Sequence, residues 1–235
     1  ELLNVGHYRK GWHPTSVLGT VAAAAAVSRM IGLDRAATGR ALGIAATFAG
    51  GIRGTFGTPA KGLQVGNAAR GGVEAALLAE AGFEMHLDVM ERRFGFFEMF
   101  SGDGLAERRD APAAAPGPAG TIARYGMGYK RYPSCGRIQP AADTMLWLRR
   151  KHHLAAGDVT AIRCGTYDMA VRTLSFRRPQ NGYEARYSMH YCLAAALQHG
   201  ELGLAHFHDS QTKDATVSEL IDRIELTIDP SLGDT

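Results

Sequence analysis

From Pro14 to Ile31 nearly every position is apolar or small, broken only by Thr, Ser and one cation, Arg29. The pattern predicts a helix over this stretch. Pro14 suits a first helical position, His13 or Thr15 lies near its cap, and Gly32 is a natural stop. Asp34 then caps a second predicted helix, "RAATGRALGIAATFA", ended by Gly50 and Gly51. A third is predicted from about Val65 to Ala81, with Gly82 as its C-terminal glycine. Ala and Gly, not Leu, fill these segments, so their axes can approach closely and a tight bundle is expected. Glycine inside a helix costs about 1 kcal/mol relative to Ala. Gly71 and Gly72 therefore mark either a close backbone contact or a kink.

Periodicity disappears in "ERRDAPAAAPGPAG", and Glu107–Gly120 reads as a linker or an exposed excursion. Beyond it the pattern changes. A helix is expected to begin near Pro140, and the alternating β-branched run "GDVTAIRCGTY" reads as a strand. "YEARYSMHYCLAAALQHG" reads as one helix ended by Gly200, and "TVSELIDRIELTIDP" as a short helix followed by a strand. No internal repeat is visible. The expected fold is mainly α, with an all-helical domain of small-residue helices over 1–120 and a smaller α+β domain over 121–235.

Composition narrows the function classes. Hydrophobic residues make up 46% of the 235 and charged residues 21%, an ordinary globular balance. No segment reaches the roughly 18 uninterrupted apolar residues of a membrane span. A net charge of +3, without a basic run interleaved with aromatics, gives no reason to expect nucleic acid. Cys135, Cys164 and Cys192 are odd in number and far apart. They suggest a reducing, cytoplasmic setting and neither a disulfide framework nor a zinc site. The chain starts at Glu1 with no Met and no signal-peptide pattern, which suggests a piece of a longer protein.

Candidate chemistry clusters in four places. His13, at a helix N-terminus, is a general acid or base beside a bound anion, or else a structural cap. Lys61, flanked by Gly54, Gly57 and Gly62 in "GTFGTPAKGLQVGNAARGG", sits in a loop that could present it to a carboxylate, or is merely solvated. Lys61 is followed by Gly62, so the segment is no P-loop. In "GYKRYPSCGRIQP", Lys130 and Arg131 precede a turn, and Cys135 is a nucleophile served by His190 or an inert thiol. In "EARYSMHYCLAAAL", Tyr187 and Tyr191 share one helical face, and Tyr191 either handles a proton or packs in the core. His206 and His208 in "HFHDS", at strand-like spacing, lack a third ligand, so no metal is expected. His7 reads as structural.

Together, "GWHPTSVLGTVAAAAAVSRMIGLD", "GTPAKGLQVGNAARGGVEAALLAEAGF", "YKRYPSCGRIQPAAD" and "EARYSMHYCLAAAL" resemble the MmgE/PrpD family in order and spacing, from about Gly6 to Pro230. The resemblance implies a helical domain with an α+β lid. It also implies a cytoplasmic, homodimeric, cofactor-independent lyase acting on small di- or tricarboxylates, of the 2-methylcitrate dehydratase type. Decarboxylation and epimerisation are the family's other activities, and a non-catalytic helical fragment is the alternative from another class. By motif, His13 and Tyr191 would move protons, and Lys61 and Lys130 would clamp carboxylates. Thr15, Gln64 and Arg131 would bind substrate, and no metal is implied. Many members carry His where this chain has Gln64. Members are also longer, and the resemblance places this chain in their middle portion.

Overall fold

This computed structural model describes residues 3–101 and 126–233. The chain divides into two compact units, Glu1–Gly117 and Pro118–Thr235. The segment expected as a linker, 107–120, lies outside the described residues. The described residues are mainly α-helical, with one small sheet.

In the first unit, α1 (Asn4–Arg9) leads into α2 (Pro14–Met30), α3 (Arg35–Phe48), α4 (Ala60–Glu80) and α5 (Phe96–Phe100). Asp34 caps α3 by accepting from the Ala37 N–H at 2.7 Å, as its sequence position suggests. On α2 the buried positions include Ser16, Thr20, Ala24 and Ser28, a small residue every fourth place. On α4 they are Ala68, Gly71, Gly72, Ala75, Ala76 and Ala79. Such stripes lie on one helical face and let two backbones meet. A Cβ placed on Gly72 would lie 2.4 Å from the Ala23 Cβ, 2.7 Å from the Ala24 nitrogen and 2.8 Å from the Thr20 oxygen. The glycine pair is thus a close contact, and α4 runs through it unbroken.

The contacts also fix direction. The Ser16 hydroxyl donates to the Gln64 carbonyl at 3.1 Å. Farther along, Gly19 faces Ala68, and Thr20, Ala23 and Ala24 face Gly72. Residue numbers rise together on both helices, so α2 and α4 are parallel and their N-termini share one end. α3 makes the connection and closes an alanine-rich core of Ala24, Ala41, Ile44, Ala45, Ala75, Ala76 and Ala79. A second cluster gathers Leu3, Val17 and Phe96, with Trp12 and Phe100 packed against it. There the His7 ring stacks on Trp12, and its Nδ1 donates to the Phe100 carbonyl at 2.7 Å, the structural role expected.

One boundary differs from expectation. α4 begins at Ala60, not near Val65, so Lys61 is on the helix's first turn and not in a flexible loop. The Thr58 hydroxyl accepts from the Ala60 N–H at 3.2 Å, and Pro59 pre-sets the backbone angle. Those starting signals outweigh the two interior glycines, Gly62 and Gly66.

The second unit contains α6 (Gln139–His152), β1 (Ile162–Thr166), α7 (Asp168–Thr173), α8 (Gly182–Ala185), α9 (Met189–His199), α10 (Ala215–Asp222) and β2 (Ile224–Ile228). β1 and β2 pair in parallel, Ile162 opposite Ile224, and the intervening helices form the long crossover such a pair needs. α9 is buried from Met189 to Leu197 without a gap, so it is the centre of the unit. The single helix expected over 183–199 is in fact two. Ser188 has extended backbone, and its hydroxyl accepts from the Tyr191 N–H at 3.0 Å, which caps α9 and breaks the chain between Ala185 and Met189. Tyr187 therefore does not share a helical face with Tyr191. Gly200, at φ +75°, ends α9 as expected.

Two outcomes follow. Gly72→Ala drives a methyl group into the α2 backbone, and we expect about 1–3 kcal/mol of destabilisation, read as a lower Tm by calorimetry. His190 on α9 is buried, and that burial, reinforced by Arg177, lowers its pKa to about 4. The unfolded chain binds a proton near pH 6.5 that the folded chain refuses. Stability is therefore full above that pH and declines as pH falls toward 4. The decline in Tm should be shallower in His190→Leu.

Candidate functional site

The shared end of α2 and α4 concentrates positive potential. The N-terminal N–H groups of each helix lack intrahelical partners, and the helix dipoles add where both ends coincide. Neither first turn holds an acidic residue. Lys61 adds a full charge at a place where a helix alone would favour an acid. The strand-like stretch after α3 closes over this end. Trp12 bridges Ile52, the His13 N–H donates to the Gly51 carbonyl at 2.9 Å, and the Arg53 N–H donates to the Gly11 carbonyl at 2.8 Å. Gly51 is required here. Its φ is +117°, and a Cβ would meet Ser16 at 2.7 Å and the Gln64 Oε1 at 2.8 Å.

His13 occupies the N-cap position of α2, but its side chain makes no cap hydrogen bond. The capping alternative is thereby removed. Instead the Nδ1 pairs with the Gln64 Oε1 at 2.9 Å. The Gln64 amide nitrogen donates to the Thr55 hydroxyl at 2.7 Å and to the Ile52 carbonyl at 3.2 Å. The Thr55 hydroxyl itself donates to the Ile52 carbonyl at 2.9 Å, so it can only accept from Gln64. The amide orientation is then fixed and its oxygen faces the imidazole. His13 must carry its proton on Nδ1, and Nε2 holds the lone pair.

His13 is 3% exposed. Burial pulls its pKa below the usual histidine value, the Gln64 bond opposes the shift, and the nearby Lys61 ammonium adds to it. Phe56 stands edge-on to the imidazole, 5.1 Å between centroids, and Lys61 Nζ is 5.6 Å from the same ring. The structure thus brings His13, Gln64 and Lys61 together. Thr15 is exposed on the first turn of α2, beside this end. Phe56, Thr55, Ser16 and Gly51 were missed in the sequence. The only signal for the three between Gly51 and Phe56 was the density of Gly and Thr in "GGIRGTFGT", which reads equally well as a plain turn, and Ser16 had none.

The other predicted residues belong to the second unit. Lys130 is exposed just before a turn. Arg131 is held by Asp143 at 3.1 Å, and the Tyr132 hydroxyl donates to the same carboxylate at 2.5 Å, so Arg131 is not free to clamp a substrate as it stands. Tyr191 is fully buried, and its hydroxyl donates to the His206 carbonyl. Burial pushes its pKa up, with Cys192 and Asp214 adding to the shift. That arrangement fits the core-packing alternative for Tyr191. Cys135 and His190 share no hydrogen bond among the described residues. His206 lies in a 3-10 turn, Leu204–Phe207, and not in a strand. Among the described residues no cluster of His, Cys, Asp or Glu could hold a metal. All three cysteines are free. No helix among the described residues is long and apolar enough to cross a membrane.

Comparison with known proteins identifies the family. The chain is 30% identical to the human cis-aconitate decarboxylase over 229 residues, covering 94% of this chain and 46% of the relative. It is 29% identical to the Aspergillus terreus cis-aconitate decarboxylase over 220 residues, 89% of this chain and 44% of the relative. A cis-aconitate decarboxylase-like protein of Aspergillus oryzae is 28% identical over 225 residues, 91% of this chain and 47% of the relative. The chain therefore spans about half the length of the curated relatives it matches. The MmgE/PrpD N-terminal domain matches residues 1–108 and the MmgE/PrpD C-terminal domain residues 132–235, so the chain belongs to the MmgE/PrpD family.

Proposed function

We propose that this chain carries a lyase site for small di- or tricarboxylates, in which His13 moves a proton and Lys61 binds a carboxylate. The observation that carries the reading is a histidine of fixed tautomer, held near a lysine at two helix N-termini free of acidic residues. Those N–H groups and the Lys61 ammonium favour a carboxylate. The Nε2 lone pair of His13 then serves proton transfer at the neighbouring carbon.

The named relatives favour decarboxylation of a cis-aconitate-like acid as the first reaction to assay. In that reaction the bond between carbon and the departing carboxylate breaks, CO2 leaves, and the carbon receives a proton. Bound carboxylates offset the field of Lys61, which raises the proton affinity of His13 and lets it act as the donor. Dehydration of a 2-methylcitrate-like acid uses the same two groups in the opposite sense: His13 removes the proton, the neighbouring C–O bond breaks, and the hydroxyl leaves as water with the proton His13 took. Lys130 remains the proposed second carboxylate clamp. Tyr191 is a positioning residue that holds the His206 turn.

The test is turnover of cis-aconitate and, in parallel, of 2-methylcitrate, together with the shift in Tm caused by citrate. We expect His13→Ala to lower kcat by roughly 10²–10⁴-fold. Lys61→Ala should raise KM at least about tenfold, the loss of one charged contact. A full rate in His13→Ala, or neither turnover nor a citrate-dependent Tm shift, rejects the reading. A second check concerns His13 alone. By NMR titration its pKa should rise in Lys61→Ala, which removes a repelling charge, and fall in Gln64→Leu, which removes the supporting acceptor.

A further inference from the structure

The second unit has a cavity of about 660 Å³, within the size range of small-molecule sites, lined by parts of α7, α9 and β2. Val171, Leu174 and Ile224 supply apolar wall, and the His190 imidazole lines the same space. His190 is 8% exposed, and its Nδ1 is buried without a hydrogen-bond partner among the described residues. A buried polar atom left unpaired in this way costs about 1–3 kcal/mol. That cost falls on the central helix of the unit, beside the cavity.

The charges around the cavity indicate what it could hold. Asp222 is bonded to Arg178, and Glu225 lies 3.8 Å from Arg163. The Arg223 guanidinium donates to the Val159 carbonyl at 2.8 Å. Arg177 lines the cavity, is exposed, and forms no ion pair with a described residue. Arg177, a cation without an ion pair among the described residues, therefore lines the same cavity as the His190 imidazole, beside an apolar wall. Asp222 and Glu225 line the cavity too, each beside an arginine of its own, which leaves Arg177 alone to match one added carboxylate.

We infer that this cavity binds a small monocarboxylate with an apolar body, its carboxylate between Arg177 and His190 and its tail against Val171, Leu174 and Ile224. The site lies wholly in the second unit and uses neither His13 nor Lys61. It accepts one charge, where the site proposed above takes two or three.

The test titrates the full chain with hexanoate while the His190 imidazole signals are followed by NMR. Hexanoate should shift them saturably, whereas acetate, which lacks the tail, should require at least tenfold more. Citrate should leave them unmoved. Arg177→Ala, a surface change that leaves the core intact, should weaken hexanoate at least tenfold, and Lys61→Ala should not alter it. A non-saturating response, equal affinity in Arg177→Ala, or loss of binding in Lys61→Ala overturns the inference. The first two outcomes leave the His13 site unaffected.

Discussion

The first unit depends on one approach, that of Gly72 on α4 to the backbone of α2. Any side chain at that position would collide with main-chain atoms at 2.7–2.8 Å, so the two helices can be this close only because the Cβ is absent. Close packing of small residues also sets the register, since Ser16, Thr20, Ala24 and Ser28 recur every four residues against the α4 stripe. The consequence is topological. With α2 and α4 parallel, their N-termini cannot be separated, and His13 and Lys61 are brought to one place by a contact nearly three turns away.

Parallel helices in contact repel through their dipoles, and a basic side chain at an N-terminus adds to the strain. A protein selected for stability alone would place Asp or Glu in those first turns. Here the first turns are Pro-Thr-Ser-Val and Ala-Lys-Gly-Leu, with no acid in either. The unit accepts this uncompensated potential and stabilises itself elsewhere, through the alanine core and through the Trp12–Ile52 bridge. Burial is the main reason the proton affinity of His13 is lowered, and the Lys61 charge at this end adds to it against the opposing Gln64 bond. The potential that costs stability and the buried imidazole therefore sit at the same end of the same two helices.

Much of this was legible in the sequence, because it follows from local rules. The start of α2 at Pro14, the Asp34 cap, the Gly200 stop and the order of helix and strand in the second unit each rest on residues within one turn of the feature. The close contact at Gly72 was also readable, since two glycines in a helix need a reason. What stayed hidden depends on partners far along the chain. The direction of α4 against α2, the fixing of His13 by Gln64 fifty-one residues away, and the burial of the Tyr191 hydroxyl on the His206 carbonyl are all tertiary. The break at Ser188 was missed because Tyr, Ser and Met extend a helical pattern as easily as they end one. Only a hydroxyl turned back on an N–H distinguishes the two.

Gln64 shows why a residue that cannot titrate is suited to its place. The resemblance to the MmgE/PrpD family sets a histidine at this position in many members. Two imidazoles in hydrogen-bond contact would titrate as a coupled pair, and the proton between them could sit on either ring. An amide removes that freedom. Its nitrogen is committed to the Thr55 hydroxyl and the Ile52 carbonyl, so its oxygen presents the same acceptor to His13 at every pH. The proton on Nδ1 then stays put, and only Nε2 is open to exchange. A single exchangeable nitrogen, with the Lys61 charge nearby, leaves His13 one position at which its protonation state can change.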